Sequence, residues 1–174
     1  MTGLGSCPVM TRSLILEWDL DELASAMHLE KDEVLMYFRD GRRISFILER
    51  RIRDAFPSWK LAPSEGSGFD LIDNNGGCWE ARSVSSGIYF CPSYMVGSGR
   101  SFEEAGFLKK LEAIEGYVCS DIMKFPEVPV YMVPSDLILD LYRKGQLGAG
   151  TRISSARFYS SVVPLLPPPV VIDD

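Results

Sequence analysis

A chain of 174 residues and 19.4 kDa, 46% hydrophobic and 24% charged, has enough apolar side chains for one folded domain and excludes disorder over most of its length. No apolar run approaches the roughly 20 residues that cross a bilayer, so no membrane span is expected. A net charge of −6 and a pI near 4.9 exclude a uniformly basic nucleic-acid coat, but not a protein that gathers its positive charge on one face.

Four cysteines (Cys7, Cys78, Cys91 and Cys119) form no C-x-x-C pair, and His28 is the lone histidine. That composition predicts free thiols rather than a structural zinc site. The first residues lack the basic start and long apolar centre of a signal peptide, so a cytoplasmic protein is expected. Residues 1–12 mix Gly, Ser, Thr and Pro and read as loose.

From Glu17 to Phe38 the sequence predicts two short helices. The first is capped by Asp21 and carries Leu23, Ala24 and Met27; a turn falls at His28-Leu29. The second, Lys31 to Arg39, puts Val34, Leu35 and Phe38 on one face. The pair resembles a helix-turn-helix, whose second helix would enter a major groove. Its Glu30, Asp32 and Glu33 would then face phosphate, which favours a packing or dimerising hairpin. Asp40-Gly41 breaks the pattern, and a longer helix is predicted over Arg42 to Phe56, with Ile44, Ile47, Leu48, Ile52, Ala55 and Phe56 as an apolar stripe.

Strands are predicted at Trp59–Ala62, Phe69–Ile72 and Cys78–Val84. The last two are joined by Asp73-Asn74-Asn75-Gly76-Gly77, a strong hairpin-turn signal. A Gly/Ser-rich segment, Ser85 to Ser101, leads into a helix from Phe102 to Glu115. Strands follow at Tyr117–Ile122 and Val128–Val133, then a helix Asp136–Lys144 capped by Ser135. A polar segment ends in a Pro-rich tail around Leu165–Val170, expected to be extended. The fold class is therefore α/β, or α+β, with a mixed sheet: helix, three strands, helix, two strands, behind an N-terminal helical hairpin. Three segments follow from this reading: a hairpin over residues 1–40 for dimer or DNA contacts, a core over 41–160, and a tail over 161–174.

The hairpin holds the chemistry. Its geometry can bring Asp70 and Glu80 together at one end of a sheet, where two carboxylates repel unless a cation stands between them. Strand alternation puts Arg82 on the same face as Glu80, where its charge can hold a phosphate and stabilise developing negative charge. The string G-F-D-L-I-D-N-N-G-G-C-W-E-A-R-S resembles the PD-(D/E)XK nuclease signature, and the chain from about Arg42 to Val133 is similar in element order to small homodimeric type II restriction endonucleases.

That resemblance implies a restriction-endonuclease-like core and a Mg²⁺-dependent DNA endonuclease, with Mn²⁺ as a substitute. Asp70 and Glu80 would be metal ligands and Arg82 the basic third member. The family usually has Lys there. Arginine stays charged, so Arg82 is expected to position and stabilise rather than act as a base. Glu49, on the preceding helix, is either a further catalytic carboxylate or an i, i+4 surface partner of Arg53. Glu65 and Asp73 could assist, although turn aspartates normally serve turn geometry.

Arg39, Arg42, Arg43, Arg50, Arg51 and Arg53 fall within fifteen residues. Of these, Arg39, Arg42, Arg43, Arg50 and Arg53 lie largely off the apolar stripe and form a candidate phosphate-binding face. In the Gly/Ser-rich segment, Arg100 is a candidate guanine reader, with Ser93, Tyr94 and Ser98 as further DNA contacts; a plain flexible loop is the other reading. Lys109, Lys110, Arg152 and Arg157 are further cations without an assigned place. The expected partners are double-stranded DNA and a second copy of the chain, since one site per chain cuts both strands only as a two-fold dimer. The alternative is a non-catalytic DNA-binding protein with a helix-turn-helix-like N-terminus and a degenerate nuclease fold.

Overall fold

The computed structural model describes residues 13–171, so the segment 1–12, expected to be loose, lies outside the described residues. The first element, β1 (Leu14–Glu17), was not expected: four residues are too few for alternation to announce a strand. Helix α1 (Leu20–Met27) is capped by Asp19 rather than Asp21, because Asp19 Oδ1 accepts from the amides of Asp21 and Glu22 at 2.9 Å. It ends at His28, in the left-handed region with φ 54°, where the sequence placed the turn.

The acids opening α2 (Lys31–Phe38) have a local purpose. Glu30 and Glu33 form a reciprocal capping box, with Glu33 Oε2 accepting from the Glu30 amide at 3.0 Å. Helix α3 (Gly41–Ala55) is capped by Asp40, which accepts from the Arg42 amide at 3.0 Å, and buries Ile44, Leu48 and Ile52 from its predicted stripe.

Next come β2 (Lys60–Leu61), β3 (Leu71–Ile72) and β4 (Cys78–Val84), then β5 (Gly87–Tyr89), α4 (Glu104–Ala113), β6 (Gly116–Asp121) and β7 (Glu127–Pro134). Helix α5 (Ser135–Arg143) starts at Ser135, which is its first residue instead of its cap; the hydroxyl donates to the Ile114 carbonyl at 2.8 Å. The segment read only as polar contains β8 (Arg152–Ser154) and α6 (Ser155–Ser161), and the tail ends in β9 (Val170–Val171). Strands β5 and β8 were missed because each spans three residues and they pair only with each other, across more than sixty residues.

The main sheet is seven-stranded and mixed, in the order β2-β3-β4-β6-β7-β1-β9. Strands β4 and β6 are parallel neighbours, from Trp79↔Gly116 to Val84↔Asp121, so the chain must cross between them, and α4 makes that crossing. Strand β1 lies between β7 and β9. The first and last strands among the described residues therefore lie side by side in the same sheet. Ala24, Val34 and Phe38 of α1 and α2 join the same apolar cluster as α3, since eight-residue helices need the core to cover their apolar faces.

Side-chain alternation along β4 divides the interior. Trp79 packs with Ile44, Leu48 and Ile52 of α3 on one face. Cys78 and Val84 pack with Phe107 and Leu111 of α4 on the other. Among the described residues, no helix is long and apolar enough to cross a membrane.

Asp73 organises the hairpin turn. Its Oδ1 accepts from the amides of Asn75 and Gly77 at 2.8 Å, and its Oδ2 from the Trp79 indole at 3.0 Å. Asp73→Ala removes all three acceptors, one of them serving a buried indole, and is expected to cost about 2–3 kcal/mol in urea unfolding. Asp73→Asn, which keeps the turn acceptor, should cost clearly less.

Candidate active site

The β3–β4 register pairs Leu71 with Trp79. Just before that pair, the Asp70 amide donates to the Trp79 carbonyl at 2.9 Å, which sets Asp70 beside β4 and within electrostatic reach of Glu80. Two like charges this close destabilise each other. Asp70 Oδ2 accepts from the Ala81 amide at 2.7 Å, taking the place of a strand carbonyl just where β3 ends.

Glu80 is only 7% exposed. On β4 it points away from α3, toward α4, as do Cys78 and Val84. Two cations hold it there. Arg82 Nη2 lies 2.8 Å from Glu80 Oε1, and Lys110 of α4 bonds Glu80 Oε2. Arg82 also donates to the Cys91 carbonyl at 3.3 Å, and Lys110 to the Gly68 carbonyl. Lys110 therefore ties α4 both to the hairpin and to the loop before β3.

These four side chains line one cleft of about 520 Å³, with Phe69, Ser93, Tyr94, Gly106 and Lys109 also around it. Three cations face two carboxylates in that space, so it suits an anion as well as a metal ion. A larger cleft, about 750 Å³, surrounds the hairpin turn and is lined by Trp59, Trp79, Asp73, Glu112, Glu115, Asp136 and Arg143 among others. Size does not make it the better candidate for an anion: Asp73, Glu112, Glu115 and Asp136 line it against Arg143 alone.

The structure brings Asp70, Glu80 and Arg82 together and adds Lys110, to which the sequence assigned no place. Thirty residues separate Lys110 from Glu80, and a lysine in a surface helix carries no spacing signal. Glu49 is not among the residues lining the cleft. It belongs to α3, which packs on the opposite sheet face from Glu80 and Arg82, so the expected auxiliary carboxylate does not join this group.

The same division separates the arginines of α3 from the cleft. Arg43 pairs with Asp40 at 3.2 Å, and Arg53 with Asp54 at 2.6 Å. Arg50 stacks over the exposed Phe46 ring, 3.2 Å from its centroid. Arg42 is exposed in the first turn of α3, and Arg39, just before it, donates to the Phe125 carbonyl at 3.4 Å. In the loop after β5, Ser93 and Tyr94 line the cleft, while Ser98 is exposed beyond it. Arg100, exposed, folds back on its own loop, with Nη1 donating to the carbonyls of Ser93 at 2.9 Å and Val96 at 3.1 Å, so its guanidinium braces the loop.

Among the described residues no group of three or more His, Cys, Asp or Glu side chains is placed to hold a metal ion. The carboxylates lining the cleft are Asp70 and Glu80, a number that suits Mg²⁺, which keeps much of its water. No protein-family model, curated protein or solved structure matches this chain.

Burial, and then the charge of Glu80, raise the Asp70 carboxyl above its ordinary 3.8, against the Ala81 amide, Arg82 and Lys110. The folded protein therefore holds this proton more tightly than the unfolded chain does. Ionised Asp70 subtracts from stability: the penalty is absent below the unfolded value, grows as pH rises toward the raised folded value, and is complete above it. Asp70→Asn is expected to be more stable than the wild type at neutral pH, with the gap closing below the ordinary aspartate range; urea unfolding at the two pH values checks this. Lys110→Met leaves Glu80 with Arg82 alone and should cost about 2 kcal/mol. Glu80→Gln combined with it should cost less than the sum of the single changes, a coupling that a double-mutant cycle measures.

Proposed function

We propose that the protein is a metal-dependent DNA endonuclease with a restriction-endonuclease-like core. The observation that carries this reading is the meeting of Asp70, Glu80, Arg82 and Lys110 in one cleft on the β3–β4 hairpin. The element order supports it: α3, then β2, β3 and β4 as an antiparallel run, then α4, then β6 parallel to β4, which follows the order that the resemblance implies.

The donor set fits Mg²⁺. Two carboxylates lie close together, and burial, then the charge of Glu80, raise the Asp70 carboxyl, a cost that a cation between them would relieve. Asp70 and Glu80 would hold the ion. When bound, it supplies Lewis-acid charge and a water acidic enough to act as a nucleophile near neutral pH. Arg82 and Lys110 bind the oxygens of the scissile phosphate and stabilise the charge that builds on them in the transition state. The two cations differ in kind. Arg82 is a fixed charge with a planar fork of donors, whereas Lys110 brings an ammonium group, which can exchange a proton with water more readily than a guanidinium can. The lysine that the β4 position lacks is thus supplied from α4. Cleavage of both strands of double-stranded DNA at a specific site takes two such sites, hence a homodimer.

One observation favours a second reading. Glu80 is engaged at both oxygens by cations, which suits a nucleic-acid binder that no longer cuts. Incubation with mixed-sequence plasmid, with Mg²⁺, with Mn²⁺ and with EDTA, separates the two. The expected result is metal-dependent discrete fragments, with cleavage lowered about 100-fold or more by Asp70→Asn and by Lys110→Ala in variants that remain folded. Intact but bound DNA under both metals would favour the binder. DNA neither cut nor bound would overturn both readings.

A further inference from the structure

The loop after β5 holds one exposed aromatic ring in place. Pro92 leads into a single turn, Ser93–Met95, in which Met95 is buried and its neighbour Tyr94 is 59% exposed. Arg100 braces this turn through the Ser93 and Val96 carbonyls. Gly106 of α4 makes room beside it: a Cβ at that position would stand 2.5 Å from Tyr94 Oη and 2.6 Å from Met95 Cε. Tyr94 is therefore pressed against the helix that carries Lys110, and it lines the same cleft as Asp70, Glu80, Arg82 and Lys110.

An exposed ring whose turn is braced by Arg100 and whose hydroxyl end meets α4 at Gly106, beside candidate phosphate-binding cations, has the form of a platform for a flat ligand joined to an anion. We propose that Tyr94 stacks on the nucleobase adjacent to the phosphate held by Arg82 and Lys110, so that the cleft takes a polynucleotide strand whose base is unpaired at that step, extruded from the helix where the DNA is double-stranded. A base within a duplex has both faces covered by its neighbours; only an unpaired or extruded base offers a face to a side chain. The α3 arginines support this choice, because they lie across the sheet from the cleft and do not extend it into a track along a duplex. The inference rests on the nuclease reading for the place of the phosphate, but it is read out by binding alone.

The test is anisotropy of labelled oligothymidylate, single-stranded and paired with oligoadenylate, measured in EDTA. The single strand is expected to bind more tightly than the duplex. Tyr94→Ala should weaken single-strand binding about tenfold, and Tyr94→Phe should keep it. Tyr94→Trp, which puts a fluorophore on the platform, should show quenched emission on saturation with the single strand. Unchanged binding by a folded Tyr94→Ala protein, or tighter binding of the duplex, would overturn the inference. A protein that cuts plasmid but binds independently of Tyr94 loses this inference and keeps the nuclease reading. One that binds through Tyr94 but never cuts keeps it and loses the catalysis. Binding to neither polymer overturns this inference and leaves the nuclease reading to the plasmid experiment.

Discussion

A carboxylate buried on a central strand is costly unless positive charge reaches it, and Glu80 is such a group, 7% exposed with α4 over it. Much of the surrounding architecture can be read as meeting that requirement. Arg82 approaches along the same strand face, and Lys110 descends from the crossover helix. Because Lys110 also bonds the Gly68 carbonyl, the pairing that satisfies Glu80 also fixes α4 against the loop before β3. A purely structural core would fill this space more cheaply with apolar side chains of similar volume. Two acids and two cations nevertheless meet here, on a protein with ample hydrophobic residues elsewhere.

Strand β4 separates the molecule's two roles. Trp79, among its odd-numbered residues, belongs to the cluster built with α1, α2 and α3. Cys78 and Val84, among its even-numbered residues, pack with α4, α5 and the loop after β5. The α3 side thus holds α1, α2 and the arginine-rich helix, while the α4 side holds the cleft. Arg43, Arg50 and Arg53 of α3 are engaged with local acids, carbonyls and rings, and Arg51 donates to the Glu17 carbonyl at 3.3 Å and lies over Trp18. Their clustering in sequence therefore reflects, at least in part, the fastening of one helix to its neighbours.

The loop after β5 reads differently in sequence and in space. Its glycines and serines suggest freedom, yet the part nearest the cleft is constrained by Arg100, by the buried Met95 and by the close approach of Tyr94 to Gly106. Gly106 matters for the space it leaves rather than for any backbone freedom. A composition that looks permissive thus supports a preorganised edge of the cleft.

Local chemistry made most of the elements legible. Strand β4 runs from Cys78 to Val84 as its alternation predicted, the apolar stripe of α3 points inward, and Asp73 serves its turn, because each depends on residues close together in the chain. The sequence by itself thus determined the mixed α/β class, the hairpin that brings Asp70 near Glu80, and the shared face of Glu80 and Arg82. The tertiary structure alone decided the rest. It brought Lys110 to Glu80, left Glu49 on the far side of the sheet, turned Arg100 back into its own loop, and drew β1 and β9 into the sheet edge. Those outcomes depend on which face each helix covers and on pairings across many residues, and neither leaves a mark in periodicity or spacing.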